Sequence, residues 1–145
     1  MILRGRYRYS GGAHRPFLTG YVLAAAGRWL KRSFLLDTGA DATFLPYRDF
    51  RPLGLDLARV EVRDDVGGVG GYGIPYTTFE TELRLVSPEG ARVFAGSVNI
   101  FLDPHATEAP LLGRDVMDHF ACIFDRSRDE VLLIEAPDTY QVIRP

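Results

Sequence analysis

The sequence predicts a mostly β domain, and three observations lead to that prediction. Fifteen glycines and nine prolines interrupt the 145-residue chain at short intervals. The runs between them are short and rich in the β-branched and aromatic residues that favour strands. Only residues 114–120 carry apolar side chains at helical spacing. Together these features indicate a sandwich or barrel of strands with one short helix.

The first half of the chain yields five expected strands, at residues 4–10, 17–24, 29–36, 42–45 and 60–63. The third ends at the turn Asp37-Thr38-Gly39, and Pro46 stops the fourth because proline cannot donate to a ladder. One helical turn is expected within residues 47–57.

The second half yields four more strands, at residues 77–86, 93–102, 121–125 and 130–135, with the helix 114–120 before the last two. Apolar and polar residues alternate between Phe79 and Leu85, which places Leu83 and Leu85 on one face. The segment 87–90 contains proline and glycine and predicts a tight turn. A hairpin is expected around residues 126–129.

The composition excludes several classes of protein. Residues 1–145 are enough for a single domain of ordinary size and too few for two. Within it, residues 136–145 are expected to form a C-terminal tail of uncertain structure. The net charge of −2 disfavours a strongly basic nucleic-acid binder. Cys122 is the only cysteine, so no disulfide forms within the chain. No segment is apolar enough to cross a membrane, and without an export signal we expect a cytoplasmic protein.

The segment 34–46 carries the clearest chemical signal. An apolar strand ends at Asp37, Thr38 adds a hydroxyl beside that carboxylate, and Gly39 allows a sharp turn. A second apolar run then leads to Pro46. A carboxylate at the end of a buried strand is well placed for acid–base chemistry.

Two further elements follow in the same chain. The glycine-rich segment 66–72 lies between two expected strands, and Leu111-Leu112-Gly113-Arg114 opens the expected helix. In this order and spacing, the three elements resemble the retropepsins, the single-domain aspartic proteases of retroviruses and their cellular and bacterial relatives; we expect a bacterial member. The resemblance covers residues 34–124. It implies a closed β-barrel with a glycine-rich flap hairpin and one short C-terminal helix.

The chemistry of this family requires two carboxylates that share one proton. The chain has one Asp-Thr-Gly and no Asp-Ser-Gly. The resemblance therefore implies a homodimer in which each chain contributes Asp37, with an isologous contact about a twofold axis. It also implies a peptide or protein substrate and no metal or organic cofactor.

The resemblance assigns roles to further residues. Thr38 is expected to bond its counterpart beneath the two aspartates, Gly39 to offer a carbonyl to the substrate, and Asp41 to accept Arg114 in an ion pair. Asp41 is also an expected substrate-binding position, and the others are Ala40, Ala42, Phe44, Val66, Gly67, Gly68, Val69 and Leu111. Since Ala40, Phe44, Val66 and Leu111 are apolar, we expect apolar substrate side chains. An extended 103–110 loop and an added tail depart from the viral pattern and leave the mode of dimerisation open.

Other interpretations of these residues remain open at this stage. Asp37 could be an ordinary turn aspartate, and the glycine-rich segment could be a disordered loop or a phosphate cradle, although β-alternating residues follow it where a phosphate loop needs a helix. Arg114 could be solvated. Asp115 and Asp118 are expected to complement the helix N-terminus or face solvent. The three histidines lack metal-ligand spacing, and Cys122 lies in an apolar run typical of a core.

The sequence therefore favours an aspartic endopeptidase. The alternative is a retropepsin-like module that binds peptides or assembles with partners but cleaves them slowly or not at all. A third hypothesis, a nucleic-acid module built on the arginines and tyrosines of residues 4–15, is the weakest, because a solvated strand face explains that pattern more simply. We expect neither nucleic acid nor membrane as a partner.

Overall fold

A computed structural model describes residues 1–68 and 71–143. Its described residues form a short α-helix, 3-10 turns at Tyr47–Asp49 and Leu57–Arg59, and ten strands. The helix is α1 (Arg114–Met117), and the strands are β1 (Ile2–Ser10), β2 (Ala13–Leu23), β3 (Trp29–Leu36), β4 (Phe44–Leu45), β5 (Arg63–Gly68), β6 (Gly71–Ser87), β7 (Gly90–Phe101), β8 (Leu111–Leu112), β9 (Ala121–Asp125) and β10 (Glu130–Ile134). The predicted mostly β class is confirmed.

The strands belong to one sheet in the order β5-β6-β7-β4-β8-β3-β2-β1-β10-β9. Most neighbours are antiparallel, but β3 pairs with β8 in parallel, and so does β4 with β7. Strand β2 also pairs with β6 through the register Tyr21↔Arg84. This extra pairing joins two strands that are not neighbours in the strand order.

The core lies between the inner faces of these strands. Phe34, Leu45, Leu85, Ile100 and Leu112 are completely buried. Burying side chains of this size stabilises the fold by roughly 1.5–3 kcal/mol each before the entropy of ordering is subtracted. The alternation expected from Phe79 to Leu85 is present, since Leu83 and Leu85 are buried whereas Glu80 is exposed.

Two hairpins of the sheet follow the turn signals of the sequence. Strands β6 and β7 meet at Ser87–Gly90, where Gly90 has a φ of +152°, a value that side-chain-bearing residues rarely adopt. Strands β5 and β6 are antiparallel and pair as far as Gly68 and Gly71. This hairpin is irregular in register on both sides of Val66.

Several element boundaries differ from the sequence predictions. Strand β5 begins at Arg63, where the predicted strand 60–63 ends, and β4 is confined to Phe44–Leu45. Helix α1 ends at Met117, three residues early, because the N–H of His119 donates to the Val116 carbonyl in a tighter i→i+3 turn before β9 begins. Boundaries depend on such backbone hydrogen bonds, which apolar periodicity does not report.

The first residue of the tail after β10 lies next to the N-terminus of the chain. The N–H of Glu135 donates to the Met1 carbonyl over 3.0 Å. Farther along, Tyr140, Val142 and Ile143 are exposed. Within the described part of the chain, no helix has the length and apolarity that crossing a membrane requires.

Candidate active site

Asp37 follows directly on a buried strand. The parallel pairing of β3 with β8 continues past Leu36, since the N–H of Asp37 donates to the Leu112 carbonyl over 3.1 Å. The chain then turns, and the N–H of Gly39 donates to Asp37 Oδ1 over 3.0 Å. The backbone thus fixes one carboxylate oxygen, and among the described residues Oδ2 of Asp37 accepts no hydrogen bond.

Gly39 lies close to the carboxylate of Asp37. A Cβ at Gly39 would lie 3.2 Å from Asp37 Oδ1, a tighter contact than side chains normally make. Thr38, between them, is exposed in the single chain. The cross-bond expected for its hydroxyl therefore needs a second chain.

Asp37 opens into a cavity of about 510 Å³. Its walls come from the active-site loop, the β5–β6 hairpin, the end of β7, the loop before β8, and β8 itself. The lining residues are Asp37, Gly39, Ala40, Asp41, Ala42, Phe44, Asp65, Val66, Gly67, Ile74, Tyr76, Asn99, Phe101, Ala106 and Leu111.

Most of the residues that the sequence nominated for substrate binding line this one cavity. Gly68 pairs with Gly71 at the end of β5, and Val69 falls outside the described residues. Thr38 and Arg114 flank the cavity without lining it. The structure thus brings together three segments that are far apart in sequence, while the roles assigned to them remain predictions.

The floor of the cavity is aromatic. Phe44 stacks on Phe101 with ring centroids 4.4 Å apart, and Tyr76 meets Phe44 edge-on at 5.4 Å. Val66 and Ile74 of the hairpin pack against this cluster. The floor can therefore bury an apolar side chain, and an aromatic one could add edge or stacking contacts.

Sequence reasoning missed six residues of the lining, namely Asp65, Ile74, Tyr76, Asn99, Phe101 and Ala106. Asn99 lies opposite Phe44 in the parallel pairing of β4 with β7, and its side-chain N–H donates to the Thr43 carbonyl over 3.3 Å. A parallel pairing between residues more than fifty positions apart leaves no local signal. The alternation of residues along β7 does provide a local signal, since it predicts that Asn99 and Phe101 project to the same side of the sheet.

Asp65 and Tyr76 form a hydrogen bond across the β5–β6 hairpin. The Tyr76 hydroxyl donates to Asp65 Oδ1 over 2.5 Å. This bond lowers the pKa of Asp65 and raises the pKa of Tyr76, because it favours an ionised carboxylate and a protonated phenol. The two residues couple the hairpin strand β5 to the aromatic floor.

Asp41 and Arg114 are joined by the predicted ion pair, through Arg114 Nη2 and Asp41 Oδ1. The bond to Asp41 raises the pKa of Arg114. Backbone bonds hold the same two segments together, since the Arg114 N–H donates to the Ala40 carbonyl over 2.9 Å. In the single chain the pair is open to solvent, with Arg114 52% and Asp41 84% exposed.

The prediction that Asp115 only complements the helix N-terminus or faces solvent is incomplete, because its side chain also bonds Thr43. Its two carboxylate oxygens accept the N–H and the hydroxyl of Thr43 over 2.9 and 2.8 Å. Thr43 is 1% exposed, and its hydroxyl oxygen also accepts the N–H of Gly113 over 3.2 Å. The active-site loop is therefore fastened to the start of α1 by side chains as well as by backbone.

Solved structures support the architecture described above. No protein-family model and no curated protein matches the sequence. The structure is similar to a retropepsin-like aspartic protease from Rickettsia conorii, with a TM-score of 0.62 and 18% sequence identity over 92% of this chain and 91% of that chain. The chain has a retropepsin-like fold. The resemblance inferred from three sequence motifs is thus confirmed at the level of the fold.

A viral protein also matches the retropepsin-like fold of this chain. EIAV protease, solved in complex with the inhibitor HBY-793, gives a TM-score of 0.47 and 23% identity over 77% of this chain and 91% of that chain. Both matches span nearly the whole length of the other protein.

The retropepsin-like fold holds no cluster that suggests a metal centre in its described part. Residues 1–68 and 71–143 contain no group of three or more His, Cys, Asp or Glu side chains arranged to hold a metal ion. Cys122 is half-buried, and burial raises the pKa of its thiol, so a reactive thiolate is disfavoured there.

Proposed function

We propose that the protein is an aspartic endopeptidase, active as a homodimer. The observation that carries the proposal is that Asp37 lines a cavity with an aromatic floor within a retropepsin-like fold. The end of a buried strand and a backbone hydrogen bond fix its carboxylate, while Oδ2 remains available. These are the requirements for a carboxylate that must exchange protons with water and substrate.

In the proposed mechanism, two chains bring their Asp37 carboxylates together across a twofold axis. Two carboxylates at such short distance cannot both ionise, so the pair holds one proton. The ionised member takes a proton from a bound water, whose oxygen attacks the scissile carbonyl carbon while the protonated member polarises the carbonyl oxygen. Protonation of the amide nitrogen then allows the C–N bond to break.

The remaining active-site residues position these groups. The exposed Thr38 is proposed to bond Thr38 of the second chain beneath the two aspartates. The Gly39 carbonyl and the glycine-rich hairpin, including Gly68 and Val69, are proposed to bond the substrate backbone. The apolar floor around Phe44 would bury a substrate side chain. Such positioning lowers the barrier because the reacting groups need not be ordered during the reaction.

The test combines a substitution with dilution. Asp37→Asn keeps the shape of the side chain and should abolish cleavage of unfolded protein, whereas Asp118→Asn, an exposed site outside the cavity, should leave it unchanged. Wild-type activity should follow a bell-shaped pH profile, because one carboxyl of the pair must be ionised and the other protonated. Specific activity should fall on dilution below the dimer dissociation constant.

Three results would count against the proposal. Full activity of Asp37→Asn would exclude the pair of aspartates, and full activity of a monomer verified by sedimentation would exclude a shared site. Peptide binding without cleavage under all conditions would indicate the binding or assembly module instead. Cytoplasmic localisation stays a prediction from the sequence alone, which fractionation of cells expressing a tagged chain would test.

A further inference from the structure

Asp65 is a charged residue in a cavity that the sequence indicated to be apolar. It lies on β5, beside Val66 and Gly67, and lines the same cavity as Asp37. Its carboxylate is held by the Tyr76 hydroxyl over 2.5 Å. Tyr76 is 7% exposed and packs edge-on against Phe44. The aromatic floor therefore fixes the position of this carboxylate at the cavity wall.

The charges around the cavity leave Asp65 available to a ligand. Among the described residues of the lining, the charged ones are three aspartates. Asp41 already pairs with Arg114, and Asp37 is reserved for the proposed chemistry. Asp65 accepts the Tyr76 hydroxyl at Oδ1 and also its own backbone N–H, whereas a carboxylate has about four acceptor positions.

Arg63 is the nearest competitor for Asp65. It lies opposite Tyr76 in the β5–β6 register, and its positive charge contributes to the lowered pKa of Asp65. It is not one of the described residues that line the cavity, and its side chain interacts with Tyr76, where it opposes the rise in the pKa of the phenol. Arg63 therefore screens Asp65 without occupying the side that faces the cavity.

We infer that Asp65 makes the cleft select peptides in which a lysine or arginine side chain accompanies an apolar one. The inference rests on the proposed function of the same cleft, since it names the substrate class. A cationic side chain entering the cavity would meet a positioned carboxylate and form a charge-assisted hydrogen bond. The apolar side chain beside it would occupy the floor formed by Phe44 and Phe101. The sequence predicted apolar substrate side chains only, and the inference adds a cationic side chain to that specificity.

The first experiment compares cleavage of matched peptides. A library of decapeptides with an apolar centre carries lysine, citrulline, norleucine or glutamate at each flanking position in turn. Wild-type protein should favour the lysine peptide over its norleucine match at one position or more, by on the order of tenfold in kcat/KM at low salt, and high salt should reduce that ratio.

Three variants on β5 separate the effect of Asp65 from that of general charge. Asp65→Asn keeps an acceptor for Tyr76 and should bring the lysine-to-norleucine ratio near one while cleavage of the norleucine peptide persists. Asp64→Asn removes the same charge from the adjacent residue, which does not line the cavity, and should leave the ratio unchanged. Arg63→Gln should increase the ratio, because it removes the competing cation.

A binding measurement makes the inference independent of catalysis. Asp37→Asn protein, with and without the added Asp65→Asn change, is titrated with the same peptides carrying a fluorescent label. If lysine peptides bind more tightly and this preference depends on Asp65, the inference is supported even without cleavage. Absence of cleavage would contradict only the proposed function. Equal preference in the Asp65→Asn and Asp65 proteins, or an equal loss in Asp64→Asn, would overturn the inference.

Discussion

Thr43 and Asp115 are joined by two hydrogen bonds that link the active-site loop to helix α1. The N–H of Thr43 donates to Oδ2 of Asp115 over 2.9 Å, and its hydroxyl donates to Oδ1 over 2.8 Å. Thr43 lies one residue before β4 and six residues after Asp37. The carboxylate thus satisfies both polar groups of a buried residue next to the proposed catalytic turn.

Asp115→Ala should destabilise the fold, because it leaves the buried N–H and hydroxyl of Thr43 without their acceptor. Such a loss costs about 1–3 kcal/mol. Asp118→Ala removes an exposed carboxylate one residue after α1 and should change stability by less than about 0.5 kcal/mol. Urea unfolding of both variants measures the difference. Equal midpoints would mean that the Thr43–Asp115 contact contributes nothing to folding.

Gly113→Ala should be among the more damaging single substitutions. A Cβ there would lie 2.4 Å from both the carbonyl carbon and the carbonyl oxygen of Ala42, so backbone has to move. Overpacking usually costs about 1–3 kcal/mol, and a backbone clash belongs at the upper end. Gly39→Ala meets only Asp37 Oδ1 and should reduce activity with little loss of stability. Thermal unfolding that ranks the two variants in the reverse order would contradict this assignment.

The Asp41–Arg114 pair should change in strength with assembly. Both side chains are exposed in the single chain, where solvent weakens an ion pair. A double-mutant cycle with Asp41→Ala and Arg114→Ala should therefore give weak coupling in the unfolding of dilute chain. The same cycle measured on dimer dissociation should give stronger coupling, with Arg114→Lys also damaging because ammonium lacks the planar fork. Equal coupling in both measurements would mean that assembly does not bury the pair.

Asp49 should make stability fall as pH rises. Burial raises the pKa of this carboxyl, and the charge and hydrogen bond of Arg32 at 2.8 Å offset the effect only in part. Within the described residues its Oδ2 is buried without a partner. Since the folded pKa lies above the unfolded value of about 3.9, its contribution to stability is complete below that value and lost as pH rises through the folded pKa.

The Asp49 effect can be isolated with a variant that does not titrate. Wild type and Asp49→Asn should be unfolded with urea at several pH values between about 4 and 7. The stability of wild type relative to Asp49→Asn should decline across this range. A relative stability that rises with pH would show that Arg32 outweighs burial at this site.

Much of the fold was predictable because strand and turn signals are local. Trp29–Leu36 was predicted with both ends correct, since its apolar run stops at a glycine turn. The hairpin of β9 and β10 and the turn at Ser87–Gly90 were also predicted, from alternation and turn residues. Only one helical turn was predicted, within residues 47–57, and the second 3-10 turn at Leu57–Arg59 was missed, because three residues are too few to establish a period.

The sequence alone determined which segments could carry chemistry: the turn at Asp37, the glycine-rich hairpin and the start of α1. Their residue types restrict backbone conformation and charge locally, so they can be recognised without the rest of the chain. Only the tertiary structure decided that Asp115 serves the buried Thr43 and that Asp65 shares a cavity with Asp37. Both relationships depend on strand pairings and packing between segments distant in sequence, which no local pattern encodes.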